Sequence, residues 1–227
     1  MKRIGVLTGA GMSAESGIQT FRDADGLWEG HDVMEVASPL GWEKNQQLVL
    51  DFYNKRRRQL HNVQPNAAHK ALANLESQFQ VDIITQNVDD LHERAGSQKV
   101  THLHGELFKA RSTKNPHLII DWKTDLHKGD LAEDGSQLRP HVVWFGEAVP
   151  QLEKAAELVR QADILIIIGT SMQVYPAAGL IDFAAKDCPV FFIDPKPQVS
   201  ESGRLQVIPQ KACMGVPRLV EQLLEEK

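Results

Sequence analysis

The sequence predicts an α/β protein, a doubly wound parallel sheet carrying a small inserted lobe, and three observations lead there. Apolar runs of strand length alternate with stretches of helical period along most of the 227 residues. One run, Ile164-Leu165-Ile166-Ile167-Ile168, is apolar at every position, as a strand covered on both faces requires. From Phe108 to about Leu138 hydrophobicity falls and the period is lost, which marks the insertion.

Taken in order, Ile4-Gly5-Val6-Leu7 reads as a buried strand, Thr8-Gly9-Ala10-Gly11 as a tight turn, and Ala14-Glu15-Ser16 as the start of a helix. Asp23 to Ser38 should be largely irregular, a loop able to close over a ligand. A helix is expected over Pro39–Asn62, ended near Pro65, and a second over Ala67–Phe79 with Asn66 as its N-cap. Val81–Thr85 is the next strand, and Val100 to Gly105 a strand running into a turn. In the insertion only Leu118-Ile119-Ile120 stands out. Strand character returns over Pro140–Phe145, followed by an amphipathic helix over Leu152–Ala162, the Ile164 strand, a helix over Ala177–Lys186, a strand over Val190–Ile193 and a terminal helix over Val216–Glu226. The chain shows no internal repeat and no low-complexity segment.

Composition excludes several function classes. A net charge of -5 gives no global attraction to nucleic acid or an anionic membrane, and the one basic cluster, Lys55-Arg56-Arg57-Arg58, reads as a solvated helix face. No apolar run approaches the length that spans a bilayer. Two cysteines, Cys188 and Cys213, form no CxxC and no disulfide framework, and no secretory pattern precedes Ile4, so a reducing cytoplasm is the expected location.

In an open α/β sheet ligands gather beyond the carboxyl ends of the strands. Gly9 and Gly11 follow the first strand there, in a GxGxxA pattern completed by Ala14: the first suits a sharp turn, the second a close backbone approach to a pyrophosphate, with a helix N-terminus behind. A plain tight turn gives the same pattern. Gln86-Asn87-Val88-Asp89 follows the Val81 strand, and Gly169-Thr170-Ser171 follows the Ile164 strand; either set could simply satisfy local backbone groups. Among nine histidines, His104 stands at a strand end before Gly105, where a near-neutral imidazole suits proton transfer. His102 and His104 share a strand face and could instead ligate a metal, although no cysteine or acidic partner accompanies them at useful spacing. Tyr53 and Arg56 lie three apart on one helix face, where a phenol and a guanidinium fork match a carboxylate; spacing alone leaves open a merely basic surface.

Gly9-Ala10-Gly11-Met12-Ser13-Ala14-Glu15-Ser16-Gly17-Ile18, Phe21-Arg22 and Gly26-Leu27-Trp28 together resemble the signature of the sirtuins, NAD-dependent protein-lysine deacylases. Gln86-Asn87-Val88-Asp89-Asp90-Leu91-His92 is similar to the family's TQNxDxLH element, His104-Gly105 to its catalytic HG, and Gly169-Thr170-Ser171 with Val174 and Pro176 to its GTSxxVxP turn. The resemblance covers nearly the whole chain and implies a Rossmann-like large lobe (about 1–30, 80–107 and 140–227) and a small lobe (about 31–79 and 108–139). It implies an NAD site of Gly9, Ala10, Gly11, Ser13, Glu15, Ser16, Phe21, Arg22, Trp28, Gln86, Asn87, Asp89, Gly169, Thr170, Ser171, Asp194 and Ala212. Phe21 would shield the reactive carbon and Arg22 support the cofactor loop. Catalysis would fall to His104, Asn87 and Asp89. An acyl-lysine peptide would lie as an added strand beside Val143, Phe145, Gly146 and Glu147, with Val143 and Phe145 on the tunnel for the lysine stem.

By the same resemblance the acyl-lysine oxygen displaces nicotinamide from the ribose, and His104 takes the proton that frees the 2′-hydroxyl to attack. The products are free lysine, nicotinamide and 2′-O-acyl-ADP-ribose. Tyr53 and Arg56 match the YxxR element of members that remove succinyl, malonyl or glutaryl groups, so desuccinylation with some deacetylation is expected. Two departures stand out. The family's zinc is held by two CxxC pairs, whereas Phe108 to Leu138 contains no cysteine and Ser112 stands near the first position; no zinc is expected, and packing by Leu118, Ile120 and Trp122 would hold the lobe. Asp194 replaces the usual Asn, and a ribose-binding carboxylate favours NAD over NADP. The alternatives are a sirtuin-type protein ADP-ribosyltransferase, in which Tyr53 and Arg56 have no purpose, and a non-catalytic NAD or ADP-ribose sensor. A monomer is favoured.

Overall fold

The computed structural model describes residues 1–19, 27–28 and 30–225. Strand β1 (Arg3–Thr8) enters two single 3-10 turns, Ala10–Met12 and Ala14–Ser16, in place of the expected helix. Gly17 ends the second turn in the left-handed region (φ 96). Any anion bound here therefore meets turn amides without a long helix dipole.

The stretch expected to be irregular holds the two-residue strands β2 (Leu27–Trp28) and β3 (His31–Asp32), paired antiparallel, and the short helix α1 (Val33–Val36). The single helix expected over Pro39–Asn62 is two, α2 (Pro39–Lys44) and α3 (Gln46–Asn62). Asn45 separates them, its side chain accepting from Leu48 N at 3.1 Å, as an N-cap competes with helix continuation. Helix α4 (Ala67–Leu75) starts at Asn66, as the sequence indicates, and stops four residues short of Phe79.

Strand β4 (Gln80–Thr85), helix α5 (Leu91–Ala95), β5 (Val100–His102), β6 (Gly105–Ser112), β7 (Ile119–Asp121) and β8 (Leu138–Val142) follow. Helix α6 (Leu152–Arg160) leads to β9 (Ile164–Ile168). Ala177–Phe183 is 3-10 rather than α-helical, with Gly179 weakening its middle. Strands β10 (Val190–Ile193) and β11 (Leu205–Ile208) and helix α7 (Ala212–Glu225) end the chain.

Among the described residues the main sheet runs β11-β10-β9-β1-β4-β5, every pair parallel. Numbered along the chain this is the 3-2-1-4-5-6 order of dinucleotide-binding folds, and it reverses between β1 and β9. Side chains alternate between the faces: Ile164, Ile166 and Ile168 pack with α4 and α7, Leu165 and Ile167 with α6 and the 3-10 stretch. All five are buried, which explains the unbroken apolar run and stabilises the sheet by about 1.5–3 kcal/mol per side chain.

The insertion is a three-stranded antiparallel sheet, β7-β6-β8, so the Pro140 strand belongs to it and not to the main sheet. Leu107, Ala110, Leu126, Leu138 and Val142 pack there against Val49, Phe52 and Leu60 of α3. The expected anchors serve differently: Trp122 is partly buried, but Ile120 is 39% exposed. Packing is also not alone. Ser112 Oγ accepts from Lys114 N (2.9 Å) and Asn115 N (2.8 Å), donates to Asp134 Oδ2 (2.7 Å) and lies 2.7 Å from Ser136 Oγ. Ser112→Ala leaves those amides without their acceptor, and is expected to lower stability by about 1–3 kcal/mol in urea unfolding.

Candidate active site

Because β1 and β9 flank the reversal point, the loops that follow them meet. Gly9 N donates to Ile168 O and Gly11 N to Gly169 O, both at 2.9 Å. A Cβ on Gly9 would lie 2.8 Å from Gly169 O, and one on Gly11 2.7 Å from Gly169 Cα. The glycines thus permit the two loops to touch, a need the fingerprint reading had assigned to a turn and a phosphate. These loops floor a cleft of about 870 Å³ that extends between the main sheet and the inserted lobe.

His104 lines this cleft, and its Nδ1 lies 3.0 Å from Gln86 O. A carbonyl only accepts, so Nδ1 carries the proton and a neutral His104 keeps its lone pair on Nε2. Burial pushes its pKa below the ordinary value, partly opposed by the Gln86 carbonyl. His102 differs: Nδ1 donates to Asn87 O (3.0 Å) and Nε2 pairs with Glu93 Oε1 (2.8 Å). Burial alone would lower its pKa, but the Glu93 bond and charge outweigh it and raise the value. With both nitrogens taken, His102 offers no lone pair to a metal beside His104, and no group of three metal-ligating side chains occurs among the described residues.

Asn87 and Asp89 are buried beside His104, 8% and 6% exposed. Asn87 Nδ2 donates to Ser13 Oγ at 3.1 Å, and Ser13 also bonds Asp89. Asp89 Oδ1 accepts from Leu91 N at 3.2 Å; burial raises its pKa against these bonds. His69, which the sequence reading passed over, closes the set. Its Nδ1 accepts from Asn66 N (3.3 Å) in a capping box, so Nε2 holds the proton toward Ser13 Oγ, 3.5 Å away. Burial lowers the His69 pKa to about 4, which keeps that tautomer neutral.

Tyr53 and Arg56 also line the cleft; Tyr53 is fully buried and Arg56 is 7% exposed. The Arg56 guanidinium lies 4.3 Å over the Trp28 ring. Tyr53 Oη accepts from Trp144 Nε1 at 3.0 Å, and burial pushes the phenol up to about 12, so it remains a donor at working pH. The neighbouring Arg57, fully buried, ties α3 to β6 through Leu107 O (3.0 Å) and to Asn54 Oδ1 (2.7 Å).

The Sir2 family model matches residues 9–176 of this chain. The chain belongs to the Sir2 family. It is 62% identical over 226 residues to an NAD-dependent protein deacylase of Helicobacter pylori strain 26695, covering 99% of both chains. It is 52% identical over 231 residues to a protein of the same description from Bacteroides thetaiotaomicron, again with 99% of each covered. The crystal structure of a Sir2 homologue in complex with NAD matches with a TM-score of 0.89 at 39% identity, covering 99% of this chain and 90% of that one.

The structure brings most of the named site residues to this one cleft. Gly9, Ala10, Gly11, Ser13, Glu15, Trp28, Gln86, Asn87, Asp89, His104, Gly169, Thr170 and Ser171 line it, as do Asp194, Ala212, Tyr53, Arg56, Val143, Phe145, Gly146 and Glu147. Ser16 is not on the lining; its hydroxyl accepts from Asn66 Nδ2 at 3.1 Å. Phe21 and Arg22 lie outside the described residues. Glu147 is largely committed within the protein: its carboxylate meets Arg139 Nη1 (2.6 Å), Arg111 Nη2 (3.1 Å) and Trp144 N (2.8 Å). Burial alone would raise its pKa, but Arg139 and Arg111 hold it below the usual range. Glu15 likewise accepts from Cys213 N at 2.8 Å, capping the start of α7 beside Ala212. Among residues the sequence did not single out, Leu60, Leu107, Lys196 and Lys211 also line the cleft, and Lys196 N donates to Asp194 Oδ1 at 2.9 Å.

Proposed function

We propose that this chain is an NAD-dependent protein-lysine deacylase that removes succinyl, and with it malonyl and acetyl, groups from lysine. The observation that carries the acyl class is the buried pair Tyr53 and Arg56, a protonated phenol and a guanidinium facing one apolar cleft. A phenol and a guanidinium fork on one helix face match the geometry and charge of a carboxylate at the end of the acyl chain.

The cleft fits the dinucleotide: two touching glycine loops at the reversal point, a buried Asp194 at the end of β10, and room for a ligand of this size beside an acyl-lysine. When bound, NAD supplies the electrophilic ribose carbon and nicotinamide as leaving group. Asp194 would accept from the adenosine ribose, with Thr170 and Ser171 toward the phosphates. Asn87 and Asp89, held by Ser13, would orient the nicotinamide ribose and a water. His104 Nε2 would take the ribose hydroxyl proton and return it later. The peptide would run along Val143–Glu147, between the large lobe that carries the main sheet and the small lobe that carries the inserted one. The reading takes the small lobe to need no zinc, since Ser112, Asp134 and Ser136 join its strands by hydrogen bonds, and takes the protein to act as a cytoplasmic monomer. Among the described residues no helix is long and apolar enough to cross a membrane.

Mass spectrometry of a reaction with succinyl-lysine peptide is expected to find 2′-O-succinyl-ADP-ribose in solution and free lysine on the peptide. ADP-ribose left on protein would favour the transferase alternative, and no product at all a sensor.

A further inference from the structure

Trp144 belongs to the peptide-docking segment and its side chain reaches Tyr53, and the reaction as described leaves it without a role. Its indole Nε1–H can only donate, and does so to Tyr53 Oη at 3.0 Å. The oxygen is therefore the acceptor in that bond, and the phenol's own proton remains for another acceptor. Among the described residues none is bonded to it. The indole that imposes this direction is itself held on every side. Arg139 lies 3.2 Å from the ring centroid, Trp42 packs at 5.7 Å, and the Trp144 amide donates to Glu147, which pairs with Arg139 at 2.6 Å. Tyr53 is clamped from the opposite side, edge to face with Phe52 (5.1 Å) and Trp28 (6.4 Å).

We propose that Trp144 is a positioning residue for acyl selectivity, which turns the Tyr53 hydroxyl so that its proton faces the cleft and a carboxylate-bearing acyl group. The inference rests on the acyl reading above. It also couples the two halves of substrate recognition, because the residue that aims Tyr53 belongs to the segment along which the peptide lies.

The test measures kcat and KM on matched succinyl-lysine and acetyl-lysine peptides for the native protein, Trp144→Phe, Tyr53→Phe and the double variant. Each single substitution is expected to lower the succinyl-to-acetyl ratio of kcat/KM by about tenfold, the effect of one hydrogen bond to a charged group, and through KM. The double variant is expected to fall no further than Tyr53→Phe. Effects that multiply, or a Trp144→Phe loss that is equal for both acyl groups, would overturn the proposal and show packing alone. A native enzyme indifferent to the succinyl carboxylate, with Arg56→Met equally indifferent, would instead overturn the acyl reading and this inference with it. Should Trp144→Phe fail to fold, the native protein still decides. Of its four tryptophan indole resonances, that of Trp144 should move further in 15N NMR on binding succinyl-lysine peptide than on binding acetyl-lysine peptide; equal movement with both, or none with either, overturns the proposal.

Discussion

His104→Ala is expected to lower deacylation by about 10²–10⁴-fold, with the loss in kcat. The size follows from the role: a general base contributes that much when its lone pair faces the reacting hydroxyl, and the Gln86 carbonyl leaves a neutral His104 no other tautomer. The pH profile follows from the same geometry. Burial lowers the His104 pKa, so the free base persists to more acid pH than an exposed imidazole allows. Activity should hold from neutrality downward and be lost only as pH falls below about 6.5 and through the depressed pKa. In His104→Ala this acid limb should disappear from the residual rate. The same sign applies to stability: the unfolded imidazole takes up its proton first, so acidification across this window favours unfolding. A limb centred above 6.5 would contradict the assignment of the base.

Arg56→Met is expected to lower kcat/KM for a succinyl-lysine peptide by about 10²-fold relative to an acetyl-lysine peptide. Methionine keeps an unbranched apolar stem while removing the guanidinium that lies over Trp28. A charge-assisted hydrogen bond to a carboxylate contributes about 1.5–3 kcal/mol, which sets the magnitude. An acetyl group presents only a methyl there, so its loss should be much smaller. Steady-state kinetics on the two peptides at saturating NAD measure the ratio, and an unchanged ratio would remove Arg56 from acyl recognition.

How much of this was legible in the sequence depended on whether one local pattern had one physical cause. Ile164–Ile168 could hardly be misread, since five buried apolar residues in a row require cover on both sheet faces. Gly9 and Gly11 were conspicuous, yet their reason was not, because the surface they approach is a loop 160 residues away in sequence. The helix expected at Ala14 failed for a related reason: Gly17 ends the turn, and Glu15 is drawn off to cap α7. Strand β11 escaped notice because an edge strand is half exposed and carries Gln206 among its apolar residues. The inserted lobe announced itself only by lost periodicity, since β7 is three exposed residues long.

The site divided in the same way. Residues just beyond strand ends, Gln86 to Asp89 and Gly169 to Ser171, were found from topology and resemblance together. His69 was not, because a buried histidine on an amphipathic helix looks like core. Its signal was the three-residue spacing from Asn66, which marks a capping box and fixes the tautomer that faces Ser13. Trp144 gave no signal at all, as its importance depends on contact with Tyr53, 91 positions away.

The central claim is tested most directly by nicotinamide release from NAD in the presence of a succinyl-lysine peptide, measured with the unmodified lysine peptide as control. The account predicts release that requires the acylated peptide and equals, mole for mole, the lysine freed. Tight NAD binding with no peptide-dependent release, from either succinyl-lysine or acetyl-lysine, would contradict it.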